Sequence, residues 1–284
     1  MIEIILLISA VLFIFALKLF GRPSTAHRAN SFAMLAMALA VFSAFNFDFS
    51  KYDSTFYITI LISGLIGVLI SKRVQMTQMP ELVGLFNGFG GGASGAIAYV
   101  ELSGNSLPIS DLSVAIFSMV IGVFTFSGSL IAVMKLRGKL NNFSTKLGNI
   151  FSVFLPTILI IPAMLEMDTF LYELIMLVAF IAGVIRVAVI GGADMPVVIA
   201  FLNSLSGIAA MSAGFIVNSI ILIVAGALVG ASGIILTLLM CAAMNRTLLD
   251  VLKGGFGTTN INNEYANCLL YTSDAADEGL GVDL

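Results

Sequence analysis

The chain has 284 residues, 59% of them hydrophobic and only 10% charged, against roughly a quarter charged in soluble domains. That balance excludes an ordinary water-soluble domain. The formal net charge of −3 singles out no partner class, no nucleic acid is expected, and Cys241 and Cys268 are too few for a disulfide framework or a metal cluster.

Nine apolar runs follow one another, at about 2–20, 30–47, 54–71, 81–100, 112–134, 150–166, 169–190, 195–214 and 218–241. Each approaches or exceeds the length that crosses a bilayer core of roughly 30 Å. Lipid cannot satisfy an open backbone, so the expected fold is all-α, a polytopic bundle of about nine transmembrane helices. The short alternating strands of a barrel are absent from the pattern. The first run carries Glu3 where a signal peptide is basic, and Gly21-Arg22-Pro23 is a poor cleavage site, so it reads as a retained span. His27 falls in the first loop beside Arg28 and reads as solvated. In the fourth run, Gly88, Gly90, Gly91, Gly92 and Gly95 resemble a phosphate loop only on paper. Such a loop follows a strand and opens into water; inside a span these glycines predict close helix packing. The connector at 135–149 holds Lys135, Arg137, Lys139 and Lys146 and reads as solvated. In the ninth run Gly226, Gly230 and Gly233 form a small-residue face for helix contact.

Charge fixes the expected orientation. With the N-terminus outside, one set of loops gathers Lys18, Arg22, Arg28, Lys72, Arg73, the basic connector, Arg246 and Lys253. The other holds Asp48, Asp53, Glu101, Asp111, Glu166 and Asp168, with Lys51 the one basic exception. Cationic loops stay cytoplasmic, so the C-terminus is expected inside.

Two stretches repeat. MPELVGLFNGFGGGA (Met79 to Ala93) and MPVVIAFLNSLSGIA (Met195 to Ala209) share Met-Pro, then Asn seven residues after the Pro, Gly four after the Asn, and Ala. Both Pro residues sit where a first helical turn tolerates the missing N–H. Both spans start from the same side, so the repeat is parallel, with a pseudo-axis along the membrane normal. Asn87 and Asn203 fall roughly 10 Å into their helices, where an amide is costly unless hydrogen-bonded. They could face one another across the bundle or serve packing alone. Acids stand at the start of each repeat, Glu81 in one and Asp194 in the other.

Met76 to Ser94, Gly191 to Phe215, Ala225 to Leu236 and Met240 to Thr258 together resemble the membrane domain of the beta subunit of proton-translocating NAD(P) transhydrogenase. The resemblance covers about residues 1–259. It implies a nine-span module of a multi-pass bacterial inner-membrane enzyme that couples inward proton movement to hydride transfer between NAD(H) and NADP(H). Both nucleotides bind domains outside this chain, so no cofactor is expected here. It implies an alpha subunit as partner and a homodimeric membrane core. By similarity Asn203, Asn87, Asp194 and Glu81 are assigned to the proton path, with Asp194 at the cytoplasmic mouth. Gly226, Gly230 and Gly233 would pack helices, and Arg246 would begin the link that transmits conformational change. Asn87 stands where some members carry a histidine, and an amide cannot titrate near neutral pH. Residues 260–284 carry no phosphate-binding glycine pattern and read as a non-family tail, a truncation or a sequencing artefact. The alternative function is a stand-alone transporter or channel for a small solute, which the parallel repeat also suits.

Overall fold

The computed structural model describes residues 2–20, 22–44, 53–104, 107–140 and 169–252. Every regular element among them is helical. The long helices are α1 (Ile2–Phe20), α2 (Ala26–Ala44), α3 (Ser54–Arg73), α4 (Met79–Gly104), α5 (Ile109–Leu136), α6 (Thr169–Ala188), α7 (Met195–Ile216) and α8 (Ile220–Ala243), followed by the short α9 (Leu248–Leu252). They overlap eight of the nine apolar runs. The span at 150–166 and the tail at 260–284 lie outside the described residues. Ser54–Arg73, Ile109–Leu136, Thr169–Ala188, Gly192–Ile216 and Ile220–Ala243 are each long and apolar enough to cross a membrane.

The helices outrun their apolar runs where polar ends find partners. α5 continues to Leu136, which places Lys135 inside its last turn, 6% exposed, rather than in a solvated connector. The reason is local. Its ammonium donates to the carbonyls of Ala188 and Ile190, at the end of α6. A cation there satisfies carbonyls that the helix leaves free and opposes its dipole.

α4 packs along α5, and α7 along α8; α5 also contacts α6 and α7, and α4 contacts α7. Glycine permits the tightest crossings. A Cβ added at Gly122 of α5 would lie 2.5 Å from the Gly91 carbonyl oxygen and 2.9 Å from Gly95 Cα. One added at Gly207 of α7 would lie 2.7 Å from Gly230 Cα on α8. With no hydrophobic drive between helices in lipid, such backbone approach is a main source of association. α1 and α2 form a further pair, joined by the Ser9 hydroxyl donating to the Ala36 carbonyl at 2.7 Å. α3 buries no residue, and Asp53 caps it by accepting from the Ser54 amide.

Candidate functional site

Asn87 is 9% exposed and joins three helices. Its Nδ2 donates to Ser129 Oγ of α5 at 3.0 Å. Its Oδ1 accepts from Ser206 Oγ of α7 at 2.8 Å, with the same hydroxyl 3.2 Å from its backbone oxygen. Gly88 makes room for this arrangement, since a Cβ there would come within 3.0 Å of Ser129 Cβ. Both amide ends are thus engaged, which removes the desolvation cost that would otherwise oppose a buried Asn. Thr125 stands one turn before Ser129 on α5. Its hydroxyl and that of Ser204 on α7 are buried without a hydrogen-bond partner among the described residues. The centre is therefore an amide between two hydroxyls, with a third and fourth hydroxyl close along the same helices. It can orient hydroxyls and water, but it holds no group that titrates near neutral pH.

Asn203, three residues before Ser206, is half-buried and makes no side-chain hydrogen bond among the described residues. The two repeat asparagines do not pair. Ser206, not Asn203, meets Asn87, because the helical turn brings position 206 of α7 to face α4. The partners Ser129 and Ser206 carried no mark in the sequence, where serines are common in spans; only their facing positions reveal them.

The second part of the site lies at the end of the bundle where α4 and α7 begin. Asp194 ends a short 3-10 turn (Gly192–Asp194) that leads into α7 and is fully buried. Arg246 Nη1 donates to both its carboxylate oxygens, at 3.0 and 2.8 Å. Arg246 is placed by the end of α8. Asn245 adopts φ 52°, a left-handed conformation that Asn tolerates better than most residues, and the Arg246 amide then donates to the Cys241 carbonyl at 3.0 Å. Beyond it, Thr247 and Asp250 cap α9 reciprocally, and α9 sinks Val251 into a core of Val187, Ile190, Met195 and Val198. Glu81 meets Arg137 at 2.6 Å at the same end, with Arg137 half exposed.

Gly226 and Gly233 of α8 face the α7 backbone: an added Cβ at Gly233 would lie 2.7 Å from the Ser204 nitrogen, and at Gly226 2.8 Å from Met211 Cα. Gly230 is looser, 3.4 Å from Ile208. Two apolar clefts border the site without touching its asparagines or Asp194. One of about 670 Å³ runs between α4, α5 and α6 past Phe89, Phe126 and Phe180. The other, about 210 Å³, lies between Arg186, Phe201 and Leu252. No group of three or more metal-ligating side chains occurs among the described residues.

A family profile described as NAD(P) transhydrogenase beta subunit matches residues 2–276, a stretch that runs past the boundary at 259 expected from the sequence. Two curated relatives, both NAD(P) transhydrogenase subunit beta of Rhodospirillum rubrum and one of them from a designated strain, are each 37% identical over 267 residues. The alignments cover 89% of this chain and 57% of each relative. The chain thus spans little more than half the length of the curated relatives it matches.

Proposed function

The chain belongs to the NAD(P) transhydrogenase beta-subunit family, and we propose that it is the proton-conducting membrane module of such an enzyme. In this reading it works with an alpha subunit and as a dimer of membrane domains in the bacterial inner membrane. Hydride passes between NAD(H) and NADP(H) on the nucleotide-binding domains of the assembled enzyme. The C-terminal end of the bundle, rich in basic groups, faces the cytoplasm.

The observation that carries the proposal is the pairing of one buried polar seam with one buried ionic latch on the same helix. α7 contributes Ser206 to the Asn87 centre and begins at Asp194, which holds Arg246. Protons would move by way of ordered water and hydroxyls along α4, α5 and α7, with Asn87 and Asn203 orienting them and Asp194 and Glu81 at the cytoplasmic mouth. The unpartnered hydroxyls of Thr125 and Ser204 support that seam, since leaving such groups unmet costs about 1–3 kcal/mol each. Arg246 would carry the state of the mouth to the polypeptide beyond α9, and the close contacts of Gly226, Gly230 and Gly233 would make α7 and α8 move together.

The test is the assembled enzyme in proteoliposomes. Asn203→Ala and Asp194→Ala are each expected to suppress proton-coupled hydride transfer, while hydride transfer between nucleotides on the detached soluble domains persists. Coupling equal to the parent enzyme in both variants overturns the assignment. Uptake of a small solute by the purified chain alone would favour a transporter instead.

A further inference from the structure

Lys135 is the most deeply buried cation among the described residues and lies at the end of the bundle that holds Asp194. It leaves the last turn of α5, and its ammonium reaches across to the carbonyls of Ala188 and Ile190. Ile190 is 1% exposed and belongs to the core that also holds Met195, Cys241 and Val251. One residue later, the Gly191 carbonyl accepts the Asp194 amide at 3.1 Å. The carbonyl that Lys135 grips is therefore the last fixed point before the turn that carries Asp194.

We propose that Lys135 is a positioning residue for the Asp194–Arg246 pair. By holding the end of α6 it sets where the turn into α7 begins, and so where the buried carboxylate stands. A cation at a helix C-terminus suits this task, since it opposes the dipole and binds carbonyls that have no partner within the helix. Without it, Ala188 and Ile190 present unpaired carbonyls in a core, and the turn shifts to expose them. The consequence for coupling rests on the reading of Asp194 as the mouth acid; the geometry itself does not.

Cys241 reports on that geometry. It is 3% exposed and shares a core with Met195, next to Asp194, and with Val251 of the segment after Arg246, so a loosened pair opens the thiol. The experiment uses the assembled enzyme in native membranes, with Cys268→Ser as background and alkylation of Cys241 followed by mass spectrometry of this chain. Lys135→Met, which keeps the stem and loses the donor, is expected to speed alkylation about tenfold, as does Asp194→Asn. Lys135→Arg, which keeps a charged donor, is expected to restore the slow rate. In the double variant, Lys135→Met adds nothing to Asp194→Asn, because both act on one pair. Additive effects, or a parental rate in Lys135→Met, overturn the proposal. If Lys135→Met does not reach the membrane, Lys135→Leu, which also lacks a donor, carries the same comparison. Absent hydride–proton coupling in the parent enzyme would sink the proposed function and leave the alkylation result standing.

Discussion

The two copies of the repeat open two hairpins built on one plan. α4 and α7 both start at Met-Pro after a 3-10 turn, Met76–Gln78 before one and Gly192–Asp194 before the other. Each runs against the next helix, α5 or α8, and the matching glycines seat the contact: Gly91 faces Gly122, and Gly207 faces Gly230. Each hairpin is latched at its open end by an acid near its start and an arginine just past its finish. Glu81 binds Arg137, and Asp194 binds Arg246. The difference lies in surroundings. Asp194 is 0% and Arg246 17% exposed, whereas Arg137 is 51% exposed. The latches themselves are not repeated positions, since Glu81 matches Val197 and Asp194 matches Gln78, and burial of one made it a candidate for function. A pair whose carboxylate is sealed from water has more at stake when one partner is removed than a pair that water can replace.

That contrast can be broken by measurement. Asp194→Ala leaves Arg246 in a closed setting and is expected to lower thermal stability in detergent by about 3–5 kcal/mol. Gly207→Ala puts a methyl against the Gly230 nitrogen and is expected to cost about 3 kcal/mol or to prevent a monodisperse preparation. Gly91→Ala, whose added methyl would stop 3.0 Å from the Gly122 oxygen, should cost about 1 kcal/mol. Equal losses in these two glycine variants would show that the hairpins are packed alike after all.

The asparagines sharpen the comparison further. Asn87→Ala strips partners from Ser129 and Ser206 and is expected to destabilise by about 1–2 kcal/mol in the same melt. Asn203→Ala removes no hydrogen bond among the described residues and should change stability by under about 0.5 kcal/mol. A large melting shift in Asn203→Ala would contradict its half-buried, unbonded placement. Glu81→Ala is the mildest, within about 1 kcal/mol and shrinking as salt is raised.

Much of this was legible beforehand because lipid narrows the choices. Apolar run length dictates helices, and Met-Pro marks where α4 and α7 begin. Glycine spacing pointed to close crossings, since only a missing Cβ lets backbones approach so near. The partners of the polar groups were hidden. Asn87 selects Ser129 and Ser206 from many serines through rotation and crossing of three helices, which no local pattern encodes. Lys135 read as a loop cation because it opens a basic run with Arg137, Lys139 and Lys146. The carbonyls that hold it come from Ala188 and Ile190, more than fifty residues on.

By itself, then, the sequence determined that the chain enters a membrane as helices, that two of them open as copies of one motif, and which family the chain resembles. Those properties follow from composition and spacing along the chain. Only the tertiary structure decided that Asp194 is sealed while Arg137 stays open to solvent, and that Asn87 meets serines rather than its twin. Burial and pairing depend on which faces of distant helices are turned toward each other, and that is a property of the packed bundle.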